Sequence, residues 1–303
     1  DGTHQGIARP RSLLSREVNM DILRLQDAGR QAIQEYLQQK SVSTGNTSID
    51  SVLEGGIEAG NFYLWLGASK SGKSTTLRAL GLSMAKNFPV LYVNFEQLGR
   101  NVFAKLYEQQ FKVSLREEVH KNPELSFENV LKMPDRDFYL AFWTDKLENK
   151  SFNAGVREKL LESVEWMRTQ DKEKRTPIII MENLSDIYNE RVGGGDNLVN
   201  VVTQTAQDIK NFCISNELSV FLAHHSGKLA RGQTRPTMDD VRDSKRVVDL
   251  AHSIFTAFTR EECEKGSDRV IRQTRHLAYL AGRGSGEYHE WDVAMDGLTM
   301  NLT

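Results

Sequence analysis

The sequence predicts an α/β protein, a mostly parallel β-sheet with helices on both faces. Three observations carry this. Short apolar runs at Phe62–Leu66, Pro89–Phe95, Pro177–Met181 and Leu218–Ala223 alternate with stretches of helical periodicity, the pattern of strands buried on both faces. The first run passes into Gly67-Ala68-Ser69-Lys70-Ser71-Gly72-Lys73-Ser74, followed by Thr75 and a helical stretch, so strand, glycine loop and helix come in the order a phosphate-binding loop requires. The later runs end in polar groups, Glu96, Glu182 and His224, at the strand ends where open α/β sheets bind ligands.

At 303 residues the chain suits a lead-in and linker helix over 1–42 followed by one large domain over 43–303. It starts at Asp1 without methionine and is expected to be a piece of something longer. Lys+Arg 39 against Asp+Glu 41 gives a net charge of −2, which excludes a global basic field and leaves nucleic-acid contact to local patches. The two cysteines, Cys213 and Cys263, have no metal or redox spacing and suit a reducing compartment. No apolar run approaches the roughly 18 residues of a membrane span, so no membrane partner is expected.

Taken in order, residues 1–15 read as a flexible lead-in. Residues 16–39 read as a helix with Met20, Leu23, Ile33 and Leu37 on one side, and its partner, its own domain or a neighbouring subunit, is open. Thr44–Gly60 gives a short amphipathic helix and a glycine turn into the first strand. Lys73–Lys86 is the loop's helix, with Leu77, Leu80 and Met84 at helical spacing. Residues 100–112 read as helix, 113–136 carry no clear period, and 138–143 read as a strand. Val156–Met167 is a helix with Leu160, Leu161, Val164 and Met167 on one face. A glycine-rich loop, Arg191–Gly195, precedes a helix carrying Leu198, Val201, Ile209 and Phe212. A short helix over 238–250, a strand over 254–258 and a tail with Trp291 and Met300 complete the chain.

The chemistry centres on the loop. Gly67 and Gly72 let backbone N–H groups turn inward, with Ser71 and Thr75 alongside, and the helix N-terminus adds partial positive charge. Lys73 is placed to reach the β/γ-phosphates and the Ser74 hydroxyl to ligate Mg²⁺, so ATP or another nucleoside triphosphate is the expected ligand. Hydrolysis needs one carboxylate for the attacking water and one for the metal shell, and Glu96 and Glu182 are the natural pair. His224 reads either as a γ-phosphate sensor or as a structural histidine. Arg191, Lys228, Arg231 and Arg235 are loop cations able to contact phosphates, or plain solvated ones.

From about Thr44 onward these residues resemble the RecA-type ATPase core of replicative hexameric DNA helicases, the DnaB family and its phage and mitochondrial primase-helicase relatives. Thr44-Gly45…Ile49-Asp50…Leu53…Gly55-Gly56 resembles the motif before the loop, and Glu96 falls where the family keeps its catalytic glutamate. Ile178–Glu182 resembles the Walker B strand, with Glu in place of Asp. His224 sits where the family has a Gln or His that couples γ-phosphate to the DNA loops. The stretch Arg235-Pro236-Thr237-Met238-Asp239-Asp240-Val241-Arg242-Asp243-Ser244 is the most family-specific, although Asp249–His252 departs from the acidic run that usually follows. Arg283 matches the arginine finger that reaches a neighbour's ATP, but Ala281 replaces the family's lysine and Ser285 its glycine; Arg275 is one residue able to take over the lysine's role.

The resemblance implies a RecA-like P-loop NTPase that forms a homo-oligomer, a hexamer in this family. It would move on single-stranded DNA with a primase, polymerase or loader as partner. The setting implied is cytoplasmic replication of phage or bacterial type, a mitochondrial one being the other. A RecA/KaiC-like ATPase switch that binds DNA or protein without unwinding is the competing reading, and an ATP-binding scaffold the third.

Overall fold

The computed structural model describes residue 33 and residues 41–95, 97–143, 152–173, 175–184, 187, 198–227, 235–241, 245–263, 270–282 and 288–303. The chain divides into Asp1–Lys40 and Ser41–Thr303, and all elements below belong to the second unit. The helix expected over 16–39 lies outside the described residues, residue 33 aside.

The second unit opens on α1 (Thr47–Val52), which Asn46 caps through its side chain. The Thr44 N–H and hydroxyl both donate to Asp50 Oδ1 at 2.7 Å, which folds the lead-in back onto the helix. Then follow β1 (Phe62–Gly67), α2 (Lys73–Met84), β2 (Val90–Asn94), α3 (Gly99–Phe111), α4 (Leu115–Lys121), α5 (Pro123–Leu131) and β3 (Phe138–Phe142). Next come α6 (Val156–Gln170), β4 (Ile178–Glu182), α7 (Leu198–Asn216), β5 (Ser219–His225) and α8 (Arg246–Leu250). A run of β6 (Ser253–Cys263), β7 (Val270–Gly282), β8 (His289–Asp296) and β9 (Thr299–Leu302) closes the chain.

These strands form one nine-stranded sheet in the order β3-β2-β4-β5-β1-β6-β7-β8-β9. Pairing is parallel from β3 through to β6. From β6 onward it is antiparallel, so the chain ends in a meander added to one edge. The expected mostly parallel sheet with helices on both faces is what forms.

Strand alternation splits the core in two. Phe62, Leu64 and Leu66 of β1 join a cluster with Leu160, Val164 and Met167 of α6 and Ile209 and Phe212 of α7. Tyr63 and Trp65 face the other side, with Leu77, Leu80 and Met84 of α2. Trp65 is fully buried, stacks on Phe255 at 4.8 Å and donates its indole N–H to Thr76 Oγ1 at 3.1 Å. Further along α2, a Cβ at Gly81 would lie 2.7 Å from Ile180 Cδ1 and 2.8 Å from the Phe138 ring, so the helix rides against the sheet with only hydrogen between.

Four elements differ from the sequence-based expectations. Residues 115–131, without a clear period, form α4 and α5 separated at Asn122, whose side chain caps α5 just before Pro123. The helix expected over 238–250 is broken into a 3₁₀ turn (Met238–Asp240) and α8, because Val241 is extended and bridges to Ser226. The strand over 254–258 is the start of a longer strand that pairs with β7 beyond the parallel sheet. The tail is two strands, with Trp291, Val293 and Met295 at period two packed on the α2-side core. Leu161, expected with the α6 core face, is 36% exposed.

Far from the glycine loop, one arginine ties three connections together. Arg175 donates to Asp171, to Asp137 just before β3 and to the Asn87 carbonyl after α2. The Arg175 hydrogen bond holds the Asp171 carboxyl below the usual carboxylate range, against the opposing effect of desolvation. A carboxyl lowered on folding contributes stability above its unfolded pKa, near 3.9, and loses it as pH falls through the folded value. Asp171→Asn is therefore expected to cost about 1–2 kcal/mol in urea unfolding at pH 7, the scale of a charge-assisted hydrogen bond. The gap from wild type should close on acidifying below about pH 4; a gap independent of pH would refute the ionic account.

Candidate nucleotide-binding site

The loop between β1 and α2 is built by close approach. A Cβ at Gly67 would meet Ser71 Oγ at 2.5 Å and the Ala257 carbonyl at 2.6 Å, so no larger residue fits. Gly72 has φ +92° at the N-cap of α2, a conformation glycine adopts without strain, whereas Lys70 holds φ +66° with a side chain. α2 then begins at Lys73, and the Thr76 N–H bonds back to the Gly72 carbonyl at 2.9 Å. The result is a cradle at a helix N-terminus, where N–H groups and the helix dipole favour an anion.

A cavity of about 510 Å³ opens over this cradle, lined by Ala68–Lys70, Gly72–Thr75, Glu182 and several cations. Lys73 is buried at 8% exposure, and Ser74 and Thr75 are half-buried. Ser71 is buried, and its hydroxyl makes no hydrogen bond among the described residues. Of the expected ligand-binding residues, Lys73, Ser74, Thr75 and Gly72 line the cavity, while Gly67 and Ser71 shape its floor.

Glu182 ends β4 at the rim, 5% exposed. Its Oε2 accepts from Asn94 Nδ2 at 2.5 Å, and its Oε1 stands 3.6 Å from Arg78 Nη1 without a hydrogen bond. The next residue, Asn183, holds φ +69°, and its buried Oδ1 has no hydrogen-bond partner among the described residues. Backbone in this region strains a non-glycine residue, and such residues gather at functional sites. Ser74 and Glu182 are hard oxygen donors of the kind Mg²⁺ prefers, and the hydrogen-bond-free Oε1 leaves an acceptor for it, so the residues fit the ion.

His224 and His225 both belong to β5, and alternation sends them opposite ways. His224, fully buried, shares the face of Val220 and Leu222, whereas Ala223 and His225 line the cavity. The histidine beside the cradle is therefore His225. The strand expected over Leu218–Ala223 runs two residues further, to His225, and the alternation of its last two residues decides which histidine faces the cavity.

Arg275, expected as one stand-in for the missing lysine, is on β7 and carries its side chain over Gly72, with Cδ 3.4 Å from where a Cβ would stand. Three further cavity residues, Lys105, Gln97 and Arg78, were not among the expected ones. Lys105 and Gln97 meet at the mouth at 2.7 Å. Arg78 follows Ser74 by one helical turn, and this spacing was the available signal. Arg235 lies elsewhere, its guanidinium 4.1 Å over the Tyr288 ring and 3.7 Å from Glu290. Glu96, Arg191, Lys228, Arg231 and Arg283 lie outside the described residues, as do Gly193–Gly195 and 242–244.

The model of the AAA domain family matches residues 31–231. The chain belongs to the AAA domain family. Among curated proteins, this family member is 25% identical over 180 residues to the DNA repair protein RadA of Aquifex aeolicus (strain VF5). That stretch is 59% of this chain and 32% of RadA, so the chain spans about a third of that relative's length. Among solved structures, an ATPase domain superposes with a TM-score of 0.71 at 14% identity, covering 91% of this chain and 98% of that one. A DnaB-like replicative helicase, described with its interactions with primase, superposes at 0.68 and 14% identity, covering 92% and 67%. The AAA domain family member thus has the RecA-like P-loop ATPase fold found in replicative helicases of the DnaB type. Among its described residues no helix is long and apolar enough to cross a membrane.

Proposed function

We propose that this AAA domain protein is an ATP-dependent motor that assembles as a ring, a hexamer, and moves on single-stranded DNA to separate a duplex during replication. The observation that carries the reading is the cavity over Gly67–Thr75, where a phosphate cradle, a buried lysine and a buried carboxylate converge at the carboxyl ends of parallel strands. Lys73 and the loop N–H groups would bind the β/γ-phosphates, and Ser74 and Glu182 would hold Mg²⁺. When bound, the ion would offset the charge on the phosphate oxygens.

In hydrolysis a water oxygen bonds to the γ-phosphorus as the bond to the bridging β–γ oxygen breaks. Glu96 would accept the water's proton and Arg283 of a neighbouring copy would stabilise the transferring group. Arg191, Lys228, Arg231 and Arg235 would contact DNA phosphates, with His225, which lines the cavity, relaying γ-phosphate occupancy to them. A primase, polymerase or loader would be the working partner, in cytoplasmic replication machinery. What supports this beyond the cavity is the fold shared with the solved ATPase domain and with the DnaB-like replicative helicase. The likeness to RadA favours a second reading, a RecA-like ATPase switch on DNA without unwinding.

The deciding experiment is ATP hydrolysis with and without single-stranded DNA for wild type, Glu96→Gln and Arg283→Ala, with oligomer size checked, followed by displacement of a strand from a fork. DNA-stimulated turnover lost in both variants, with strand displacement by wild type, is the expected result. Turnover without displacement selects the switch. Turnover indifferent to DNA and to Arg283 rejects the ring motor.

A further inference from the structure

Arg78 is 3% exposed on the helix that carries the phosphate loop, and a cation is almost never buried so far unless it is paired. Its partners are Glu182 Oε1 at 3.6 Å and the Tyr92 hydroxyl, to which Nη1 donates at 3.3 Å. The acidic side chain that Arg78 faces in this cluster is Glu182. Both Arg78 and Glu182 line the nucleotide cavity. The pair is not closed: Arg78 Nε and Glu182 Oε1 are buried and make no hydrogen bond among the described residues. Arg78 Nη1 and Glu182 Oε1 stand 3.6 Å apart, so their attraction is Coulombic rather than a formed hydrogen bond. Asn94 meanwhile fixes the other carboxylate oxygen at 2.5 Å.

We propose that Arg78 is a positioning residue for Glu182 that makes divalent-ion binding conditional on nucleotide. Asn94 and Arg78 hold the carboxylate in place from two sides while the site is empty of phosphate. The Arg78 charge neutralises Glu182 and repels a free dication, so Glu182 alone is a poor metal site. The negative charge of bound polyphosphate offsets that repulsion, and the ion then binds between phosphate and Glu182. Free metal is thereby kept from occupying the site ahead of nucleotide.

This inference rests on the nucleotide reading above, and the experiment separates the two. Mn²⁺ serves as the probe, titrated by electron paramagnetic resonance with and without ADP. Wild type should bind Mn²⁺ weakly alone and much more tightly with ADP. Arg78→Met should tighten Mn²⁺ binding without nucleotide by about tenfold and shrink the ADP effect, while Arg78→Lys, which keeps the charge, stays near wild type. Unchanged or weaker Mn²⁺ binding by folded Arg78→Met overturns the proposal. Failure of wild type to bind ADP overturns the nucleotide reading instead.

A measurement on wild type covers the case in which Arg78→Met does not fold. The Arg78 Nε–H resonance, assigned with Arg78→Lys, should shift when Mg²⁺ is added to the ADP-bound protein, because Glu182 then turns part of its charge to the ion. A resonance indifferent to Mg²⁺ overturns the proposal.

Discussion

Lys73→Ala is expected to lower ATP turnover by about 10²–10³-fold and to weaken nucleotide binding. The magnitude is that of removing one preorganised donor from the place where charge develops. Lys73 is suited to it by being 8% exposed and lining the cavity over the cradle. The alanine variant should keep its fold, since alanine is the best helix former and the loop's shape depends on Gly67 and Gly72. Phosphate release and binding of a fluorescent ATP analogue check both halves. Turnover within a factor of a few of wild type would show that the cradle is not the hydrolytic site.

Trp65→Ala should be the costliest single change to stability, about 3–5 kcal/mol in urea unfolding, the range for deleting a buried aromatic side chain. The loss has two parts. The indole stacks on Phe255 in the core on the α2 side, and its N–H satisfies Thr76 in the first turn of α2. Removing it opens a cavity under the phosphate loop and takes away a buried hydrogen bond at the helix start. Nucleotide affinity should fall with stability, while Trp166→Ala, at a residue 53% exposed, should change neither by much. A cost under about 1 kcal/mol for Trp65→Ala would mean that the sheet relaxes around the gap.

Which parts of this chain were legible follows from how local their signals are. β1, β2, β4 and β5 are continuous apolar runs, because parallel strands covered on both faces need apolar residues at every position. The loop and its helix were legible because glycine and lysine spacing is dictated by phosphate geometry. β8 was not, since it stands in the antiparallel extension and carries His289, Glu290 and Asp292 along with Trp291 and Val293. α4 and α5 were missed because they pair with each other and with α3, leaving Phe127 and Leu131 exposed and the apolar period blurred. In the site, cradle residues were visible one by one, but the Arg78–Glu182–Asn94 cluster draws on α2, β4 and β2, and no stretch of sequence shows it. His225 needed one further fact, the last two residues of β5.

The missing side chain at Gly81 has a consequence for tuning. At 1.5 Å per residue, position 81 lies about 12 Å down the helix from Lys73, outside the cavity. Yet Ile180 and the Phe138 ring stand where its Cβ would be, and a helix is stiff over that length. The bulk admitted there sets the height at which the far end of the rod presents its amides. Grip on a phosphate can thus be adjusted from the back of the sheet, at a residue that never meets the ligand.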